Sequence, residues 1–375
     1  MFLSQVERDE TIRACRYCPM CYVADRVTSI VRREAYSPRG RGAILFALEH
    51  GLLEWDDTIS DIFYSTLNDG LIRTWCVGRY DHEELVIDTR ARIFERGLAP
   101  QSVVAFITNL KKNVRTGLSP KEILLSQNVE VTPGAATLIY AGCTAREMES
   151  QILLVTGRLF NKAGIPFQVL DNEPCCGWPL YQLGDFFGAH DFSVRLAKAI
   201  RDTGAQEVVV LDGDCYRMLL TRTRRFGGQL DVIRISHVTQ ILAKWINADL
   251  LRIKKRLNLT VTYHDPCSLA RYCEGIEEPR SILSAILARP LIEMFARGKH
   301  ANCCGAGGLL TVHRPDIALE VARMRLEEAQ ETHCEFVATA CPRCDLMLRK
   351  ASEIHGGPTI VNIVHLVGQA SGLEM

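Results

Sequence analysis

"ANCCGAGGLL", residues 301–310, sets Cys303 and Cys304 side by side ahead of a glycine. A disulfide wants separated, suitably directed Cβ atoms, so two chain neighbours do not readily bridge each other. Each must find its partner elsewhere. The same signature stands earlier as "CCGWPL", residues 175–180, and both belong to a longer repeat. Cys143 precedes the first pair by 31 intervening residues, and Cys267 precedes the second by 35. The second pair is followed, after 36 intervening residues, by Cys341 and Cys344 in "ACPRCDLML". At the matching place the first copy reads "LDGDCYRML", where Cys215 stands but Asp212 occupies the earlier position.

The hydrophobic pattern repeats with the cysteines. "ATLIYAG" (136–142), "PFQVLD" (166–171) and "EVVVLDG" (207–213) are short apolar runs of buried-strand type. Helical stretches such as "MESQILLVTGRLFNKAG" and "DFSVRLAKAIRDTG" alternate with them. The alternation begins again with "LTVTYHD", "RPDIALEVARMRLEEAQET" and "EFVATA". Such βαβ texture predicts an α/β fold with parallel sheets. Residues 1–130 differ: "PRGRGAILFALEHGLL" and "EELVIDTRARIFERGL" carry apolar residues at three- and four-residue intervals, which predicts helices. "NVEVTPGAA" (128–136) marks a turn or linker. Three parts are therefore expected: 1–130, 136–257 and 258–375.

A chain of 375 residues is long enough for two or three cored domains. With 44 basic and 44 acidic residues it carries no net charge, so nothing points to nucleic acid. "KKR" (254–256) reads as a solvated face. The start, "MFLSQVERDE", lacks the regions of a signal peptide. No run approaches the roughly 18 apolar residues of a membrane span. The expectation is a cytoplasmic protein without a transmembrane segment. In a reducing compartment, fifteen cysteines suit metal binding or redox chemistry better than disulfides.

Placement supports this. Cys143 ends one apolar run and Cys341 follows another, and open α/β folds build their sites at the carboxyl edge of the sheet. Helix starts there favour thiolate. A zinc site is saturated by four ligands, whereas the second copy offers five, two of them adjacent. A polynuclear iron–sulfur centre is the better reading there. In the N-terminal part, "CRYCPMC" supplies Cys15, Cys18 and Cys21 on one tight loop, a three-legged grip on a [4Fe–4S] cube with a distant fourth cysteine. A zinc knuckle is the alternative.

The cysteine pattern resembles the CCG domain. That domain occurs in tandem in the B and D subunits of heterodisulfide reductase, in iron–sulfur subunits of glycolate oxidase and lactate-utilisation systems, and in the C subunit of anaerobic glycerol-3-phosphate dehydrogenase. The resemblance covers essentially the whole chain and implies a helical ferredoxin-like domain followed by two CCG domains. It implies a noncubane [4Fe–4S] centre on Cys267, Cys303, Cys304, Cys341 and Cys344, with Cys303 and Cys304 at the reacting end. For the first copy, iron–sulfur, mononuclear iron or zinc on Cys143, Cys175, Cys176 and Cys215 stays open, with Asp212 as an oxygen ligand or an outer neighbour, as does an empty structural remnant. Full ferredoxin-like domains in the family carry two clusters that exchange fourth ligands. Here Asp25 stands where the first motif would end in cysteine, and "TWCVGRYDHEELV" keeps only Cys76 of the second. One cubane cluster on Cys15, Cys18, Cys21 and Cys76 is implied.

Other residues carry less. Cys273 and Cys334 match no ligand position. His264 in "YHDPC" could donate to a cluster sulfur or be structural. "SPRGRG" (37–42) is either a neighbour of the cubane site or a charged loop, and Tyr216 and Arg217 flank Cys215. "CGAGGLL" has Leu310 where a dinucleotide fingerprint needs its last glycine, and no Walker loop occurs. Redox centres without a flavin or nicotinamide site predict one subunit of a complex. It would carry electrons between a flavoprotein dehydrogenase and a quinone, an electron-transfer flavoprotein or a disulfide, with room for peripheral contact at the inner face of a membrane. The alternatives are a thiol-disulfide reductase working at the second CCG centre, and a zinc-stabilised scaffold.

Overall fold

The computed structural model describes residues 4–112 and 118–374. The chain forms two compact units, each assembled from separate stretches of sequence. One takes in residues up to 112 with Pro179–Gly188 and Lys299–Arg325; the other takes in 118–178, Ala189–Gly298 and the residues from Leu326 onward.

All the strands among the described residues lie in the second unit. β1 (Thr137–Tyr140), β2 (Gln168–Val169), β3 (Glu207–Val210) and β4 (Arg234–His237) form one sheet in the order β2-β1-β3-β4. β5 (Val261–His264), β6 (Phe336–Thr339) and β7 (Thr359–Asn362) form another in the order β5-β6-β7. Every pairing is parallel, as the βαβ alternation requires. The central strands are apolar because helices cover such sheets on both faces.

The two sheets repeat each other at the positions that matter. Cys143 is the third residue after β1, and Cys267 is the third after β5. Asp212 is the second residue after β3, and Cys341 is the second after β6. Parallel pairing of β1 with β3, and of β5 with β6, brings these ends to one edge of each sheet.

The first unit is helical, with no strand among its described residues. Ser4 and Glu7 form a capping box at the start of helix Gln5–Cys15. Ser37 accepts from Gly40 N at 2.9 Å ahead of helix Pro38–Glu49, with proline in the first turn, where its missing N–H costs nothing. Arg8 pairs with Glu49 at 2.8 Å and with Asp88, which ties both to helix His82–Glu95.

One side chain joins this unit's separate stretches. Arg90 is fully buried, and its guanidinium donates to the carbonyls of Phe63 (3.0 Å), Thr66 (3.2 Å), Gln182 (2.9 Å) and Gly308 (2.8 Å). Burial pushes its pKa down to about 10, which still leaves it charged at neutral pH. Arg90→Met should therefore destabilise the chain by about 3 kcal/mol or more, since each orphaned buried acceptor costs roughly 1–3 kcal/mol. Arg90→Lys should recover only part, because an ammonium lacks the planar fork. Chemical denaturation of the purified variants measures both, and a loss below about 1 kcal/mol for Arg90→Met would contradict the role.

Candidate functional site

Cys15 closes helix Gln5–Cys15, and the next turn folds back so that Cys18 N donates to Cys15 O at 3.2 Å. Cys21 precedes a short helical turn, and Cys76 follows helix Leu71–Trp75. Together Cys15, Cys18, Cys21 and Cys76 line one cavity of about 100 Å³, with Pro38, Arg39 and His82 among its other walls. Burial, then the nearby Cys76, pushes the Cys15 thiol up to about 12. Burial pushes Cys21 up to about 11, with Arg41 pulling the other way. Four soft sulfur donors on one cavity fit an iron–sulfur cluster or zinc, whose binding would displace these protons.

"SPRGRG" packs against this site. A Cβ on Gly42 would lie 2.9 Å from the Cys15 Cβ, so only glycine lets the two helices approach there. Asp25 is committed elsewhere: it caps helix Arg26–Val31 through Thr28 N at 3.1 Å and pairs with buried Arg41 at 2.9 Å. His82 is the residue the sequence reading passed over. Its ring nitrogens lie 3.6 and 3.7 Å from the Cys15 sulfur, and burial with Arg41 holds its pKa down at about 4. A neutral imidazole there can donate to sulfur. Its only sequence signal is its place at the start of a helix six residues after Cys76.

In the second unit, the first cysteine set converges. Cys176 donates to Cys215 across 3.3 Å, and Cys175 acts on both the Cys143 and the Cys176 thiol. All four thiols stand above their ordinary range: Cys175 and then burial raise Cys143, while Cys175, Cys176 and Cys215 are each lowered by the neighbouring thiol that precedes them in this row and raised further by burial and adjacent groups. Glu173 fixes the geometry by accepting from the N–H groups of Ala141 and Gly142, both at 2.9 Å. Gly142, at φ +78°, brings its backbone so close that a Cβ would sit 3.0 Å from the Cys215 sulfur.

Asp212 serves a different purpose from a cysteine. Its Oδ1 accepts from Asp214 N (2.8 Å) and Cys215 N (3.2 Å), capping helix Gly213–Arg217. Burial and Asp214 push its pKa up to about 6, against the pull of Arg343 and the two N–H groups. Cys341 holds the matching cap position of helix Pro342–His355 and makes no capping hydrogen bond.

The second set draws its members from both units. Cys303 and Cys304 are buried in the first unit, where Gly305 N donates to the Cys303 sulfur at 3.4 Å. Cys267 opens helix Cys267–Tyr272 in the second unit, where Cys341 and Cys344 flank the start of helix Pro342–His355. His264 is buried with its ring within 4.8 Å of the Cys344 sulfur. Arg217 stacks over Tyr272 at 3.2 Å, while Tyr216 donates to Gln240 at 3.1 Å. Cys273 is pushed up to about 12 by burial, and none of the fifteen cysteines is in a disulfide.

The CCG cysteine-rich domain family matches this chain twice, at residues 137–220 and 261–349. The chain is 30% identical over 316 residues to the D subunit of the dihydromethanophenazine:CoB–CoM heterodisulfide reductase of Methanosarcina acetivorans, covering 82% of this chain and 77% of that one. It is 27% identical to the EtfAB:quinone oxidoreductase of Syntrophomonas wolfei over 62% of this chain but only 34% of that protein. Among solved structures, a hypothetical protein from Helicobacter pylori matches 100% of this chain and 74% of that one with a TM-score of 0.62 at 11% identity, a likeness of fold alone.

The capping role of Asp212 gives a test. In metal-free protein, Asp212→Ala should lose about 1 kcal/mol of stability, the usual worth of an N-cap, while Asp212→Asn keeps most of it. Denaturant midpoints of the two variants decide, and equal losses would rule the cap out.

Proposed function

We propose, from the premise that this chain belongs to the CCG cysteine-rich-domain family that includes the D subunit of heterodisulfide reductase, that it relays electrons between a flavoprotein dehydrogenase and a quinone, an electron-transfer flavoprotein or a disulfide. The chain is an iron–sulfur electron-transfer subunit of an oxidoreductase. No helix among its described residues is long and apolar enough to cross a membrane. Its proposed centres are a cubane [4Fe–4S] cluster on Cys15, Cys18, Cys21 and Cys76 and a noncubane [4Fe–4S] cluster on Cys267, Cys303, Cys304, Cys341 and Cys344. A further metal is proposed on Cys143, Cys175, Cys176 and Cys215. On this reading, 1–130 forms the helical iron–sulfur part, and 136–257 and 258–375 form the two CCG parts.

The observation that carries the reading is the shared cavity of Cys15, Cys18, Cys21 and Cys76. A cluster bound there supplies one-electron storage, at a potential set by charge, hydrogen bonds and solvent exposure. The residues at hand act on those variables. Arg41 sets a buried positive charge beside Cys15 and Cys21, which favours the more negative, reduced state. His82 offers an N–H to the Cys15 sulfur without adding charge. Cys18 alone of the four is exposed, which makes its side the short path to a partner.

Anaerobic iron, sulfide and zinc counts with EPR test the whole reading; a colourless zinc protein would end it. Cys76→Ser should weaken or convert the N-terminal cluster and leave the other signals as they were. Unchanged reduced-state EPR and iron content in that variant would remove Cys76 from the site. Cys303→Ala should abolish turnover with the natural acceptor while partner binding persists, as followed by co-purification.

A further inference from the structure

The first CCG copy departs from the family pattern at Asp212, yet its cysteine-bearing loop grips the second copy's. Asp214, one residue before Cys215, is the meeting point. Its Oδ1 accepts from the hydroxyl of Ser268, the residue after Cys267, at 2.5 Å. Its Oδ2 lies 3.4 Å from Nε of Arg343, which stands between Cys341 and Cys344. The backbones are close as well: a Cβ on Gly213 would lie 3.7 Å from the backbone N of Leu269. A carboxylate of one copy thus braces both strand-end loops of the other.

We propose that Arg343 tunes the reduction potential of the second CCG centre and that Asp214 of the first copy holds it in place and offsets its charge. The proposal rests on the iron–sulfur reading above. Only 18% of the Arg343 side chain and 16% of that of Asp214 is exposed, so water screens the pair weakly. Burial opposes the charge on Arg343, but Asp214, Asp212, Cys143 and Cys341 favour it and raise its pKa, so the guanidinium stays charged. A fixed positive charge beside a thiolate-bound cluster stabilises the reduced form and raises its potential. An anion paired with that charge lowers it again. The first copy thereby keeps a purpose that does not depend on which metal it holds.

A positioning role and a merely structural one predict different signs. In the metal-free chain, Arg343→Gln and Asp214→Asn should both lower the melting temperature, since each strands a half-buried charge. In the loaded chain their effects on potential should be opposite. Arg343→Gln shifts the second centre to lower potential; Asp214→Asn, which leaves Arg343 uncompensated, shifts it higher. Arg343→Lys, keeping the charge, stays near the wild type. Arg349→Gln, in the same helix and paired with Glu149 and Asp345, serves as the charge control and should shift little. EPR-monitored redox titration reads each variant, using the signal that Cys303→Ala removes. Opposite shifts support the proposal. Shifts of one sign, no shift, or an equal shift in Arg349→Gln overturn it. If Arg343→Gln fails to load iron, the sign for Asp214→Asn decides alone. Absence of the Cys303-dependent signal in the wild type would instead overturn the iron–sulfur reading.

Discussion

The helical unit depends on one buried guanidinium. Arg90 reaches carbonyls on three stretches of chain that lie far apart in sequence: Phe63 and Thr66, Gln182, and Gly308. Carbonyls buried among apolar side chains need a donor, and an arginine offers five in a fixed fork. The consequence reaches the chemistry, because the stretch ending at Gly308 also carries Cys303 and Cys304. Around Arg90, the Tyr64 hydroxyl donates to Leu183 O at 2.8 Å and Asn68 to Gln182 at 3.0 Å, so the 179–188 stretch is fixed at several points.

Two aspartates stand where the family pattern has cysteine, and both do the same thing. Asp25 caps helix Arg26–Val31 and pairs with Arg41; Asp212 caps helix Gly213–Arg217 and feels the charge of Arg343. The position just before a helix exposes unsatisfied N–H groups, and Asp is among the best side chains for them. A cysteine there leaves those groups unserved, as Cys341 does, and keeps its sulfur available. An aspartate in such a place gives a cap where a cysteine would give a sulfur. The N-terminal half-motif and the first CCG copy share this exchange.

Much of this was legible in the sequence because it is local. Short apolar runs gave β1, β3, β5 and β6, and Cys143 and Cys267, like Asp212 and Cys341, stand at matching distances past their strands. "PFQVLD" shrank to the two residues of β2, and β4 and β7 had no apolar run to announce them: "RISH" and "TIVN" mix polar and apolar residues at sheet edges. His82, Arg90 and Arg343 were illegible for another reason. Their roles come from partners dozens of residues away, and a charged or aromatic letter inside a helix says nothing about what lies across from it. The discontinuous helical unit was hidden in the same way, since linear reading divides a chain only at points along it.

The adjacency of the paired cysteines has a geometric reason, which the first copy displays. Cys143 follows β1 and Cys215 follows β3, and these are neighbouring parallel strands. Such strands run about 4.8 Å apart, so their end loops leave the sheet side by side. Cys176 donates to Cys215 and Cys175 acts on the Cys143 thiol, so consecutive residues of one crossing loop serve both strand ends. The loop must then turn sharply against a helix. Gly177 does so at φ +86°, where a Cβ would come within 3.0 Å of Ala189 O; Gly305 does so at φ +97°, where a Cβ would collide with Ala318 O. Only glycine can follow the pair there, since a side chain would meet both a left-handed backbone and a helix carbonyl. In the first copy, two thiols side by side before a glycine thus let one loop cross the carboxyl edge of two parallel strands and bring a sulfur toward each.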